Sequence, residues 1–207
     1  MKLAPALLSA AAVLATAAFA QAGDGPLLVK PGKVISQPDL KSPLGSEWTK
    51  TKGKWEPADG VLTADEVPED KHSAVLHLKT GPTPLVWECD FKLDGAKTFY
   101  VGCDGNKHVG RLVIVGKKAL LAEDSTEVKG KTPSHTLDEK PIDLKPGEWN
   151  HLRVEYTGDK MAARLNDIEL HAQHPYLATP KVRWWFAVAG NKAQIRNIKI
   201  SQGELLP

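Results

Sequence analysis

The sequence predicts an all-β domain, and three observations carry that expectation. Apolar residues alternate with polar ones at a period of two over many short runs, the pattern of half-buried strands. Pairs rich in Gly, Asn, Asp and Pro separate these runs at regular spacing, as turns do. No amphipathic helix of any length interrupts the pattern. About a dozen short strands with such punctuation fit a sandwich or barrel of antiparallel strands.

The elements follow in order. Lys2 precedes an apolar, Ala- and Leu-rich run at 3–19, and Ala18-Phe19-Ala20 and Ala20-Gln21-Ala22 both fit a small-x-small cleavage site. Residues 1–22 therefore read as an export signal. A membrane anchor would need ~20 strongly apolar residues, and nothing later in the chain is long and apolar enough to cross a membrane. The remaining chain, about 185 residues, suits one all-β domain. Residues 23–44, rich in Pro, Gly, Lys and Ser, are an extended lead-in with an edge strand at 27–29, and 45–203 form the sandwich domain.

Within that domain, 48–62 holds two strands across an Asp59-Gly60 turn, whose residues tolerate positive φ. Ala74, Leu76 and Leu78 alternate in a strand at 72–78. After Pro82 and Pro84, residues 85–91 are strongly β; a hairpin is expected, with strands at 87–92 and 98–103 turning at Asp94-Gly95. Strands at 109–115 and 119–122 follow. A three-strand meander spans 146–170: Leu152, Val154 and Tyr156 alternate with Arg153 and Glu155, a Gly158-Asp159 turn leads to Met161, Ala163 and Leu165, and Asn166-Asp167 turns into Ile168 and Leu170. Strands at 182–189 and 194–201 complete the chain. Residues 124–148 read as the one long irregular stretch, of a length that often carries function.

Composition narrows the partners. Charges balance at 27 basic to 25 acidic, which excludes the basic stripe of a nucleic-acid binder and gives no electrostatic hold on a membrane. Six tryptophans are many for this length; Trp stacks well on a sugar face and also fills cores. Cys89 and Cys103 fall on the expected hairpin with Trp87 and Phe91, and with Phe99 and Val101, so both can point to the same side of neighbouring strands. An exported chain permits a disulfide between them; two buried thiols are the alternative. No further Cys or suitably spaced His completes a metal site, and the sequence names no cofactor.

The segments Gly53-Lys54-Trp55, Asp59-Gly60-Val61-Leu62, Leu85-Val86-Trp87-Glu88-Cys89-Asp90-Phe91-Lys92-Leu93, Gly147-Glu148-Trp149-Asn150-His151-Leu152-Arg153-Val154-Glu155, Leu165-Asn166-Asp167 and Ile195-Arg196-Asn197-Ile198-Lys199-Ile200 stand in an order that resembles the 3-keto-disaccharide hydrolase family, also described as family-16 glycoside hydrolase-like. The resemblance spans about residues 45–202. It implies a concanavalin A-like jelly roll of two antiparallel sheets, carbohydrate bound on a concave side, and hydrolysis or elimination at the glycosidic bond of a 3-keto sugar.

The candidate residues divide by chemistry. Glu88 and Asp90 share one face of a strand, about 7 Å apart, and resemble the start of the family-16 glycosidase motif. The motif's second Glu falls on Leu93, so the carboxylate pair of ordinary glucanase chemistry, ~5–5.5 Å apart in a retaining enzyme, is incomplete. Glu88 and Asp90 remain candidate ligand-binding groups, or a solvated outer face. His108 and Arg111 stand at the start of one strand; a base near neutral pKa and a cation that steadies an enolate are what elimination from a 3-keto sugar requires. Arg183-Trp184-Trp185-Phe186 puts Trp184 and Phe186 on one face and Trp185 on the other, beside Arg183, as a sugar platform or as sheet packing. Trp149, at a strand entry, reads as a core plug. A non-catalytic glycan-binding module and a structural or adhesive module are the competing expectations.

Overall fold

The computed structural model describes residues 25–80, 84–125 and 134–207. The expected export signal and residues 126–133 of the expected loop lie outside the described residues. Thirteen strands form one continuous antiparallel ladder: β1 (Val29–Ser36), β2 (Trp48–Lys52), β3 (Lys54–Ala58), β4 (Val61–Asp65), β5 (Ala74–Leu78), β6 (Leu85–Asp104), β7 (His108–Val115), β8 (Lys118–Glu123), β9 (His135–Pro141), β10 (Asn150–Thr157), β11 (Lys160–Leu165), β12 (Ile168–Gln173) and β13 (Arg183–Leu205). Two short 3-10 turns, Pro68–Asp70 and Pro175–Ala178, are the helical elements among the described residues.

The ladder folds into two layers because β6 and β13 are long, bent strands that belong to both. The first half of β6 pairs with β10 (Leu152 opposite Cys89, Val154 opposite Trp87), and its second half pairs with β7 (Val101 opposite Leu112). β13 runs beside β6 through the bend, from Arg183 opposite Asp104 to Gln202 opposite Leu85. One layer thus reads β12-β11-β10-β6-β13-β4-β3, with β1 also on β13, and the other reads β9-β8-β7-β6-β13-β5-β2. Register shifts at Gly190 and Lys192 mark the corner, where Gly95 and Gly190 take φ of 99° and 90°. A side chain at either position would be strained there.

The expected hairpin at Asp94-Gly95 is therefore a bend within one strand of 20 residues. Gly95 supplies the positive φ that a turn would use, but β13 pairs with both halves of β6 and carries it onward. The expected strands at 182–189 and 194–201 merge into β13 in the same way. β9 occupies part of the stretch expected to be irregular. It is an edge strand with a largely exposed surface, so no apolar alternation betrays it.

The remaining turns match the expectation. Asp59 and Gly60 take φ of 52° and 80° between β3 and β4, Gly158 takes 52° between β10 and β11, and Asn166 takes 50° between β11 and β12. The inward faces meet in one core. Trp87, Cys89 and Phe91 from the first layer pack with Phe99, Val101, Trp184 and Phe186 from the second. Trp87 and Phe186 meet edge to face at 4.7 Å, and Phe91 stacks on Phe99 at 4.6 Å.

The cysteine pair is corrected accordingly. Cys89 and Cys103 are free and fully buried thiols. They stand in opposite halves of a single strand, one per layer, and not on adjacent strands of a hairpin. Burial pushes both thiols up, that of Cys103 to about 12. Trp149 is also no core plug: it is half-buried, with the Arg196 guanidinium 4.1 Å and Lys92 Nζ 5.0 Å from its ring centre.

Candidate functional site

Alternation along β6, β7 and β13 decides what the outer face of the second layer carries. Phe99, Val101 and Cys103 point into the core, so Tyr100, Gly102 and Asp104 face outward. On β13, Trp184 and Phe186 point in, leaving Arg183, Trp185 and Ala187 outside. Registers Arg183–Asp104, Trp185–Gly102 and Ala187–Tyr100 bring these residues side by side, and β7 adds Arg111 opposite Gly102. β5 adds Val75 and His77. The result is a groove of about 610 Å³ with an apolar floor of Val75, Tyr100, Val113, Leu120, Trp185 and Ala187.

Asp104 organises the polar end of the groove. It is 1% exposed and closes β6 at a register shift, with His108 reached across a short turn. His108 Nδ1 lies 2.7 Å from Asp104 Oδ1, which also accepts from Trp185 Nε1 at 2.8 Å, while Oδ2 accepts from Arg183 Nε at 2.7 Å. His77 Nε2 is 4.0 Å from Oδ2, and its Nδ1 lies 2.7 Å from Thr51 Oγ1. Burial pushes the Asp104 carboxyl up, but the hydrogen bonds from His108, Arg183 and Trp185 outweigh it and hold the group below its ordinary value. The same bond to Asp104 raises His108 above its ordinary value, against burial. Burial, with Arg183 nearby, lowers His77.

Gly102 is required by the indole beside it. A Cβ there would stand 2.3 Å from Cζ2 of Trp185, so the ring lies directly on the backbone of β6. Trp185 is consequently only 5% exposed. It forms the floor, with Tyr100 and His108 tilted against it at 6.4 and 5.6 Å between ring centres. Arg111 donates to the fully buried Asp124 at 2.8 Å.

Of the residues singled out from sequence, His108, Arg111, Arg183 and Trp185 thus converge on one groove. Glu88 and Asp90 stand elsewhere, on the outer face of the first layer. Glu88 accepts from Arg153 Nη1 at 2.8 Å. Asp90 lies 2.9 Å from His151 Nδ1 and accepts from Asn197 Nδ2 at 2.7 Å; burial raises its carboxyl and these hydrogen bonds bring it below its ordinary value. Sequence reasoning passed over Asp104, His77 and Tyr100. Their signal was present: each alternates with residues assigned to the core, Cys103 and Val101 for the first and third, Leu76 and Leu78 for His77. Among the described residues no group of three or more His, Cys, Asp or Glu side chains is placed to hold a metal ion, and no helix is long and apolar enough to cross a membrane.

Two layers of antiparallel strands, with a groove on the face of one, define a concanavalin-like, galectin-like jelly-roll sandwich. Known structures share this fold at low identity. A carbohydrate-binding module, CBM66 from Bacillus subtilis, superposes with a TM-score of 0.60 at 12% identity over 75% of this chain and 96% of the module. A Bacillus subtilis protein of unknown function with a galectin-like fold gives 0.60 at 12% identity over 86% of this chain and 100% of that one. LamA from Z. galactanivorans, in complex with laminaritriose and laminaritetraose, gives 0.56 at 12% identity over 84% and 100%. No family model and no curated protein matches the sequence, so membership of the 3-keto-disaccharide hydrolase family is not shown; the concanavalin-like fold that the resemblance implied is shown.

Proposed function

We propose that this chain is an exported carbohydrate-binding domain whose ligand lies in the groove around Asp104. The observation that carries the reading is the pairing of an aromatic and aliphatic floor with a rigid polar cluster in one cavity. Sugars present apolar C–H faces and directional hydroxyls together, and sites that fix a few polar groups beside an apolar surface suit them. The structural neighbours that bind laminari-oligosaccharides or are named as carbohydrate-binding modules support the same reading. Two-carboxylate glycoside hydrolysis fits less well. Asp104 is the one carboxylate lining the groove among the described residues, and its oxygens are taken by three donors.

The bond from His108 Nδ1 to Asp104 favours a second reading, lysis of 3-keto glycosides. A histidine oriented by a carboxylate can take the proton from the carbon next to the keto group. Arg111, in the same groove, would steady the enolate while the glycosidic C–O bond breaks, and the departing oxygen would leave as the alcohol by taking back the proton that His108 removed.

Calorimetric titration against a panel of neutral and acidic oligosaccharides tests the first reading. A panel member should bind, and Arg183→Ala, at a half-exposed position, should weaken it about tenfold or more. A folded protein that binds nothing on the panel, or binding indifferent to Arg183→Ala, removes the groove as a glycan site. Turnover of a 3-keto glucoside that disappears in His108→Gln would establish the second.

A further inference from the structure

We infer that the groove selects acidic saccharides, uronate-containing chains in which a ring carboxylate is held by Arg183 with the help of Arg111; this rests on the carbohydrate reading above. A ligand in the groove reaches cations and imidazoles before it reaches a carboxylate. The carboxylates of this region are underneath: Asp104 is 1% exposed and Asp124 is fully buried. The cationic and imidazole groups they hold are on top, with Arg183 and His108 side chains 49% and 40% exposed and Arg111 16%. Both oxygens of Asp104 are taken by the groups it orients, and Asp124 holds Arg111 through Oδ1 from a fully buried position, so the two carboxylates aim donors rather than accept from a sugar hydroxyl.

Arg183 shows this most clearly. Its Nε is committed to Asp104, and its two Nη groups have no protein partner among the described residues. A guanidinium anchored at Nε presents the other edge as a planar pair of donors, the shape that a carboxylate accepts. Arg111 stands on the other side of β6, opposite Gly102, so the two guanidinium groups flank the groove from strands separated by about 10 Å. Neutral sugars need acceptors as well as donors, because each hydroxyl both gives and takes a hydrogen bond. Here the cations that meet the ligand, Lys52, Arg111 and Arg183, only donate, and acceptors are confined to uncharged groups, the hydroxyls of Thr51, Ser73, Tyr100, Ser134 and Thr136 and the imidazoles when neutral. Acceptor-rich ligands are favoured by that imbalance. The apolar floor of Tyr100, Trp185 and Val113 receives the ring, which separates a uronate from a bare inorganic anion.

The experiment compares oligogalacturonate, oligomannuronate and hyaluronan oligosaccharides with the same chains after chemical reduction of their carboxyl groups to alcohols. Calorimetry and quenching of tryptophan emission report binding. At least one uronate chain should bind about tenfold or more tighter than its reduced counterpart. Arg183→Gln should erase that preference, and Arg183→Lys, which keeps the charge and loses the planar fork, should restore it in part. Reduced chains that bind as well as the acids overturn the acid selectivity and leave the carbohydrate reading standing. Binding of neither form to folded protein overturns both. Binding of inorganic phosphate or sulfate as tight as the uronates also overturns the proposal, since it would make the groove a general anion site.

Discussion

Replacing Asp104 with Asn tests whether this carboxylate organises the groove. The cost follows from the geometry. Oδ1 serves His108 and Trp185 at 2.7 and 2.8 Å, and Oδ2 serves Arg183 Nε at 2.7 Å. An amide offers one oxygen. If it keeps His108 and Trp185, its NH2 meets the Nε–H of Arg183, donor against donor. A lost hydrogen bond to a charged group at a buried site costs about 1.5–3 kcal/mol. The charge attraction lost at His108 and Arg183 adds about 1 kcal/mol or less apiece, because both are about half exposed and screened by solvent. The unfolding free energy from urea titration should therefore fall by about 2–4 kcal/mol. The pH dependence is more specific. Asp104 lies below its ordinary 3.8 in the folded protein, so its contribution is present above that value and lost as pH falls through the folded one. His108 lies above its ordinary 6.5, so its contribution is complete below 6.5 and lost as pH rises through the folded value. The two overlap from about pH 4 to about pH 6.5. The deficit of the Asn variant should be largest there and smaller at about pH 9, where His108 is neutral. Equal deficits at about pH 5.5 and about pH 9 would refute the account of a charge-coupled cluster.

Two other outcomes follow from the packing. Gly102→Ala should cost about 1–3 kcal/mol by overpacking and shift tryptophan emission and near-ultraviolet dichroism, since the new Cβ falls 2.3 Å from the Trp185 ring; spectra identical to the parent would show that the indole does not rest on Gly102. Thiol titration should find no reactive cysteine in the folded protein and both after denaturation, because the two thiols are fully buried and that of Cys103 is pushed up to about 12; an oxidised form lighter by two hydrogens would restore the disulfide.

The fold was legible where local chemistry is decisive. Asp59-Gly60, Gly158 and Asn166 adopt the positive φ expected of them, and the meander of β10, β11 and β12 keeps its alternation through every register position. The corner at Gly95 was not legible, because a glycine with positive φ serves a bend and a reversal equally well, and only the partner strand distinguishes them. Half of the groove was visible for a related reason. His108, Arg111, Arg183 and Trp185 drew attention as unusual residue types, while Asp104 did not, since an isolated Asp at a strand end looks like a turn residue. Its importance comes from β13, which lies 79 residues further on for Arg183 and 81 for Trp185.

Both outer faces of the sandwich carry charge at a period of two, and what separates them is whether that charge has been consumed. On the first layer Glu155, fully buried, accepts from the backbone N–H groups of Leu28 and Val29 and from Arg153 Nε at 2.6 to 2.8 Å, and Arg153 also reaches Glu88. Arg164 Nη1 donates to the carbonyl of Gly25 at 2.8 Å. The N-terminal segment is thereby strapped across this face, and its carboxylates and guanidinium groups answer one another or the backbone. Glu155 is spent on the backbone and on Arg153, whose Nε and Nη1 are engaged and whose Nη2 is buried without a hydrogen-bond partner among the described residues, so the arrangement has little left to offer a ligand. On the second layer the equivalent ion pairs stand upright: the acids sit at the base, and the fork of Arg183 and the ring of His108 reach into open volume. Glu88 and Asp90 were attractive from sequence because carboxylates suggest sugar chemistry, yet a carboxylate is useful to a ligand only while its oxygens are free. On the Asp104 face the carboxylate oxygens are taken as well, and what stays open is the fork of Arg183 and the ring of His108; the proposed ligand site rests on those oriented donors and not on a free carboxylate.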